Sequence, residues 1–247
     1  DTSERYGNSE NLISNFLKNN NNDIIIDTKI DNLYVDKNDI EKQVIYKVSG
    51  AWEKFGKNLS TLYLHQNELS VISNEKILNT LTNLKNDKVF KAIGVSVYDL
   101  RELDFALNSS HIDVVQIPVN IASTKLYKYC KTINHDKIII GRSILLQGLL
   151  LDIKFINTVK KKYHKNIYEF MSLIEEICIE YKLSIAELCL RFVASLKNID
   201  SIILGSTNLK NIENSIHSIN QKFSVNILNR VLELSRNEQA WNNPRNW

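Results

Sequence analysis

Four polar side chains close or flank apolar runs, where groups that hold or move protons can face a common pocket. Lys29 ends Ile24-Ile25-Ile26-Asp27-Thr28-Lys29, and His65 ends Thr61-Leu62-Tyr63-Leu64-His65. Asp1 and Tyr6 stand in a turn-like segment, Asp1-Thr2-Ser3-Glu4-Arg5-Tyr6-Gly7. In a parallel βα barrel reactive groups gather at the C-terminal ends of the strands, because the βα loops converge there. Each residue alone has a plainer role: such a His is usually hydrogen-bonded scaffold, such a Lys snorkels to water, and a Tyr packs its ring. Their order and neighbourhoods join them.

The elements that must position them follow from pattern. Six β-branched runs alternate with segments of helical period, the signature of repeated βα units around a parallel sheet. They are Ile24 to Ile30, Thr61 to Leu64, Ala92 to Ser96, Val114 to Pro118, Ile138 to Ser143 and Ser201 to Leu204. Near-continuous Ile, Val and Leu fits strands covered on both faces. Helices are expected over Glu10 to Leu17 and Ile40 to Phe55. Another, through Ile167, Phe170, Met171, Ile174, Cys178 and Tyr181, precedes one that Ser184 and Glu187 open as a capping box. Pro118 and Pro244 both fall outside the helical patterns.

Composition narrows the class. The chain has 247 residues, 43% of them hydrophobic, and 31 Lys and Arg against 28 Asp and Glu. That balance excludes a largely disordered chain, a collagen-like chain and a small disulfide scaffold. Its length suits one α/β barrel, a single domain over residues 1–247. The longest apolar run, Ile144 to Leu151, is interrupted by Gln147 and is far below the roughly 18 residues that span a bilayer. The start, Asp1-Thr2-Ser3-Glu4-Arg5, lacks the basic-then-apolar order of a leader, so a cytoplasmic protein without membrane contact is expected. Cys130, Cys178 and Cys189 are far apart, fit no metal spacing, and read as buried free thiols. The Asn19 to Asn22 tract reads as a polar turn. The basic cluster Lys160 to Lys165 reads as a solvated loop, and no nucleic-acid partner is expected.

With these blocks in order, the chain resembles an aldo-keto reductase. Asp1-Thr2-Ser3-x-x-Tyr6-Gly7 matches the family's Asp-Thr-Ala-x-x-Tyr-Gly with one small-residue change. Thr28-Lys29, Leu62-Tyr63-Leu64-His65, Ile93-Gly94-Val95-Ser96, Val115-Gln116-Ile117-Pro118-x-Asn120, Gln147-Gly148-Leu149-Leu150 and Ile203-Leu204-Gly205-Ser206-Thr207 follow in family order. The resemblance implies a (β/α)8 barrel of TIM type and NAD(P)H-dependent reduction of a small carbonyl compound to an alcohol. Tyr6 would be the proton donor. A phenol of ordinary pKa about 10 is a poor acid near neutrality, so it needs a cation to stabilise its phenolate. Lys29 would be that cation, Asp1 its partner carboxylate, and His65 a donor to the substrate oxygen.

For the cofactor, NADPH or NADH, the resemblance assigns Ser96 and Gln116 to the nicotinamide carboxamide. The family's Asn after that Ser is Val97 here. Arg142, beside Ser143, stands where many members stack a Tyr on the nicotinamide; it would stack there or reach the pyrophosphate. Gly205, Ser206 and Thr207 precede a helix start able to bind phosphate. Gly205 and Asn211 replace the Lys and Arg common in members that prefer NADPH, which leaves both cofactors open, with Lys210 a substitute. The wording around Gly94 and Gly148 is similar to reductases of sugar and surface-polysaccharide pathways, which points to a sugar-derived or polar carbonyl. Measured against a complete member, the chain lacks two strands and a helix before Asp1, as expected of a fragment of a longer chain. A second reading, a catalytically impaired or non-catalytic barrel that binds nucleotide or a protein partner, follows from that start, from Val97 and from the weak phosphate clamp.

Overall fold

The structure is a computed structural model that describes residues 1–20, 23–235 and 239–247; Asn21 and Asn22 of the predicted polar turn lie outside the described residues. The chain divides into two compact units, residues 1–116 with 133–138, and residues 117–132 with 139–247.

The first unit runs α1 (Ser9–Asn19), β1 (Ile26–Ile30), α2 (Ile40–Phe55), β2 (Leu59–Leu64), α3 (Leu69–Ile72), α4 (Glu75–Asn86), β3 (Ala92–Ser96), α5 (Leu100–Asn108) and β4 (Val114–Pro118), whose last two residues belong to the second unit. Neighbouring strands pair in parallel, with Lys29 beside Tyr63, Tyr63 beside Gly94, and Ser96 beside Gln116. Leu62, Tyr63 and Leu64 are all buried, as both-face coverage requires. Helix α2 adds Ile40, Val44, Val48, Ala51 and Phe55, one stripe at helical spacing. Gly94 is glycine for a steric reason: a Cβ there would stand 2.4 Å from the Tyr63 ring. β1 begins two residues later than the pattern predicts. Its ladder with β2 starts at Ile26 opposite Leu59, and Ile24 and Ile25 precede it, exposed.

The second unit contains α6 (Lys125–Cys130), β5 (Ile138–Arg142, apart from Ile138), α7 (His164–Tyr181), α8 (Ile185–Ala194), β6 (Ser201–Ile202), α9 (Leu209–Ile219) and α10 (Val225–Leu234). β5 and β6 pair in parallel. β6 is shorter than the predicted Ser201 to Leu204, although the Ile203 amide still donates to Gly141 O at 2.8 Å. The Ser184 and Glu187 capping box forms as expected: Ser184 Oγ accepts from the Glu187 amide and Glu187 Oε2 from the Ser184 amide. α7 buries Ile167, Met171, Ile174 and Cys178, with Ile177 added to the predicted stripe. The basic cluster is partly structured, since Lys161–Tyr163 form a 3-10 turn that leads into α7, and its lysines remain exposed. The three cysteines are buried free thiols, and burial pushes Cys130 up to about 11. Among the described residues no helix is long and apolar enough to cross a membrane.

Candidate active site

The segment before α1 lies along β1. The Thr2 amide donates to Asp27 O at 2.8 Å and the Glu4 amide to Lys29 O at 3.5 Å, which seats Asp1 beside the end of that strand. The chain then turns, with the Tyr6 amide donating to Ser3 O at 3.0 Å and the Ser9 amide to Tyr6 O at 3.1 Å. Gly7 holds φ +57°, a conformation that favours glycine. Buried Glu10 ties the surrounding elements together: it accepts from Thr28 Oγ1 of β1 at 2.5 Å and from Lys54 Nζ of α2 at 2.6 Å.

Within this frame Lys29 is buried, 3% exposed, and its ammonium is held by an ion pair with Asp1 Oδ1 and a 3.0 Å bond to Thr2 O. Asp1 Oδ2 accepts from Gln116 Nε2 at 2.7 Å, so both carboxylate oxygens face donors. The Lys29 ammonium lies 5.2 Å from the centre of the Tyr6 ring and 5.7 Å from that of Tyr63, a cation between two phenols. The two differ in availability. Tyr6 is half exposed, whereas Tyr63 is buried, and burial together with the Asp27 charge pushes its phenol far above the ordinary range. Tyr63 therefore keeps its proton, and Tyr6 is the phenol within reach of a ligand. The Tyr6 ring meets the His65 ring edge-on at 6.0 Å between centres.

His65 follows β2, its amide continuing the ladder to Ile30 O at 2.9 Å. Burial, the largest cause, lowers its pKa, with Lys29 and Arg5 acting in the same direction and Asp31 and Glu4 opposing. Around it stand groups that motif reading did not assign. Ser3 Oγ lies 2.8 Å from His65 Nδ1, and Arg5 forms an ion pair with buried Asp31, whose Oδ2 is 3.9 Å from the same nitrogen. The one visible signal was Ser3, a hydroxyl where the matching pattern has Ala. Arg5 and Asp31 carried none, because only the fold brings 5, 31 and 65 together.

Thus Asp1, Tyr6, Lys29, His65 and Gln116 are brought together in the first unit. Ser96, buried at the end of β3, is the registered neighbour of Gln116. Gln116 Oε1 is buried without a hydrogen-bond partner, an acceptor that fits the amide hydrogens of a nicotinamide.

In the second unit the chain leaves β5 through Ser143, Leu146 and Gln147, three non-glycine residues at positive φ. Such strain collects at binding sites. Arg142 Nη1 donates to Ser143 Oγ at 3.3 Å, and Asn120 Nδ2 to Ser143 O at 3.2 Å. Gly205, Ser206 and Thr207 are exposed. Ser206 Oγ accepts from the Asn208 amide at 3.1 Å, and Asn208 caps α9 through the Lys210 amide at 2.9 Å. A cavity of about 480 Å³ opens here, lined by Gly205, Ser206, Asn211, His217 and Glu187 among others. A second, of about 460 Å³, reaches Ser143 and Gln147. Both volumes fall within the range of roughly 300 to 1,000 Å³ usual for small-molecule sites.

Known proteins place this chain by family and fold. The sequence profile described as the aldo/keto reductase family matches residues 1–236. No curated protein matches the chain. Among solved structures, the apo form of an aldo-keto reductase from Bacillus halodurans superposes with a TM-score of 0.76 at 16% identity, covering 96% of this chain and 81% of that one. An aldo/keto reductase from Brucella melitensis gives 0.69 at 20% identity, over 95% and 82%. A glycerol dehydrogenase from Gluconobacter oxydans gives 0.72 at 16% identity, over 95% and 79%. At these identities the likeness establishes the fold, an α/β barrel type, while the profile match establishes descent. The chain therefore belongs to the aldo/keto reductase family, oxidoreductases that act on carbonyl compounds and generally use NAD(P)H.

Proposed function

We propose that this enzyme reduces an aldehyde or ketone to an alcohol with Tyr6 as the general acid, the substrate being a sugar-derived or otherwise polar carbonyl. The observation that carries the reading is the ion pair of buried Lys29 with Asp1 set against the half-exposed Tyr6 ring, with the His65 ring beside it. Lys29 stabilises negative charge on the Tyr6 oxygen and so lowers the cost of releasing its proton. Asp1 and Thr2 O keep the ammonium in place. His65 orients the carbonyl oxygen and donates to it as charge develops there. NADH or NADPH, when bound, would supply the hydride for the carbonyl carbon. The alkoxide oxygen then takes the Tyr6 proton, the product leaves as an alcohol, and Tyr6, open to solvent, regains a proton from water.

The other assignments follow. Ser96 and the open acceptor of Gln116 receive the carboxamide. Arg142, Ser143, Gly205, Ser206 and Thr207 serve the ribose and phosphates. The larger cavity of the second unit has Asn211 but no Lys or Arg in its lining, and its carboxylate, Glu187, is paired with Arg191, so nothing there clamps a 2′-phosphate and NADH is the better fit. The charged pairs Glu4 with Lys47 and Arg5 with Asp31, close to His65, favour a polar carbonyl over an aliphatic one.

The test is turnover by the purified protein, followed by NADH and NADPH absorbance with a panel of aldehydes and sugar ketones. Consumption with at least one polar carbonyl is expected, and it should disappear in Tyr6→Phe while nucleotide binding persists. Nucleotide binding with no turnover on any carbonyl would overturn the reading in favour of a binding protein.

A further inference from the structure

We propose that Ser3 is a positioning residue that holds His65 as the tautomer with its proton on Nε2, so that the imidazole presents a donor to the substrate oxygen. This rests on the role given to His65 above. It adds a residue that the Asp-Thr-Ala form of the motif cannot supply.

The argument is one of hydrogen-bond satisfaction. Ser3 is fully buried, so its hydroxyl proton needs an acceptor inside the protein. Its oxygen accepts from the Arg5 amide at 3.2 Å, and that amide can only donate. The other partner of Ser3 Oγ is His65 Nδ1 at 2.8 Å. Were Nδ1 protonated, the Ser3 proton would be stranded in a dry site. The hydroxyl therefore donates and Nδ1 accepts, and a neutral ring with Nδ1 as acceptor carries its proton on Nε2.

The groups facing His65 divide over this outcome. Asp31 and Glu4 favour a charged ring, while burial, Lys29 and Arg5 oppose it, and Tyr6 contributes a ring edge. Asp31 is the strongest competitor for Nδ1, yet its Oδ2 stands at 3.9 Å, beyond hydrogen-bond length, and its charge is met by Arg5. Ser3 is thus the nearer partner of the two. It sits one peptide from Thr2, whose carbonyl binds Lys29, so one short segment sets both the ammonium and the imidazole.

The imidazole nitrogen spectrum of the 15N-labelled full chain at pH 8 reads this directly, with no cofactor or substrate. His65 is assigned among the five histidines by comparison with His65→Gln. The expected result is a neutral His65 with Nε2 protonated. In Ser3→Ala, Asp31 becomes the nearest acceptor, so the ratio of Nε2–H to Nδ1–H tautomer should fall about tenfold, the scale on which an orienting hydrogen bond acts, and the His65 pKa should rise. Asp31→Asn added to Ser3→Ala should bring that pKa back down. In kinetics, Ser3→Ala should lower kcat while leaving KM for the nucleotide unchanged, and should move the acid limb of the pH profile upward. A wild-type His65 protonated at Nδ1, or an unchanged ratio in folded Ser3→Ala, overturns the proposal. The wild-type spectrum decides even where the variant fails to fold. The expected tautomer with no turnover by the wild type would sink the reductase reading and leave the tautomer assignment standing.

Discussion

The two units handle polar groups in opposite ways. In the first, Lys29, Gln116, Ser3 and Asp31 are buried and held by side-chain partners, Lys29 and Gln116 by Asp1, Ser3 by His65 and Asp31 by Arg5, and Tyr6 is left half open. In the second, Gly205, Ser206 and Thr207 are exposed, and the side chains there bond to the backbone beside them. The difference suits the two tasks proposed for these residues. Proton transfer needs side chains held in fixed geometry, which strands and buried partners provide. Holding a charged nucleotide needs reachable amides and hydroxyls, which a loop and a helix start provide.

That contrast can be broken most sharply at Tyr6. Tyr6→Phe should cut turnover by about 10² to 10⁴-fold, the usual worth of a positioned general acid, with nucleotide affinity unchanged by titration calorimetry. Lys29→Met comes next, since it leaves the Asp1 carboxylate without its cation in a largely buried site. A loss of about 3 to 5 kcal/mol in urea unfolding is expected, reduced by the bond that Gln116 keeps. Gly94→Ala forces a methyl into the Tyr63 ring and should cost about 1 to 3 kcal/mol by the same measurement, whereas a methyl at Gly205 meets open space. In the second unit, Glu187→Gln should shift preference towards NADPH, read as the ratio of kcat/KM for the two nucleotides. It should cost only about 0.2 to 0.5 kcal/mol of stability, through the lost ion pair with Arg191, because Gln still completes the capping box of α8.

The smallest effect concerns pH. The folded-state pKa of His65 is lowered, so below the ordinary value of about 6.5 the unfolded chain binds more protons than the folded one. Stability should therefore rise with pH up to that value and be lost as pH falls below it. His65→Asn should flatten this slope in urea midpoints collected between pH 5 and 8. An unchanged slope would mean that the imidazole is not held neutral.

Much of the fold was legible in the sequence, for local reasons. Ala92–Ser96 and Val114–Pro118 match their predicted bounds, because an apolar run bounded by polar turns marks a covered strand. Ile40–Phe55 matches as well, its stripe at helical spacing being unambiguous. Asp99 and Glu102 form a second capping box that D-x-x-E spacing would have revealed. The ends of β1 and β6 were not legible, since a strand stops where its neighbour stops, and no residue within it records that. In the candidate site, Asp1, Tyr6, Lys29 and His65 could be picked out from their places in ordered blocks, and the fold brings them together. That Gln116 bonds Asp1, and that Ser3 faces His65, could not.

Residue types and spacing determined the βα order and the buried thiols, and the resemblance of the ordered blocks to the aldo-keto reductases singled out the groups proposed to move a proton. Tertiary structure decided which of two phenols near the same ammonium is open to a ligand, that Gln116 bonds the Asp1 carboxylate, and which hydroxyl stands against the imidazole. Those outcomes depend on burial and on contacts across as many as 115 positions of chain, and such contacts exist only once the strands have paired.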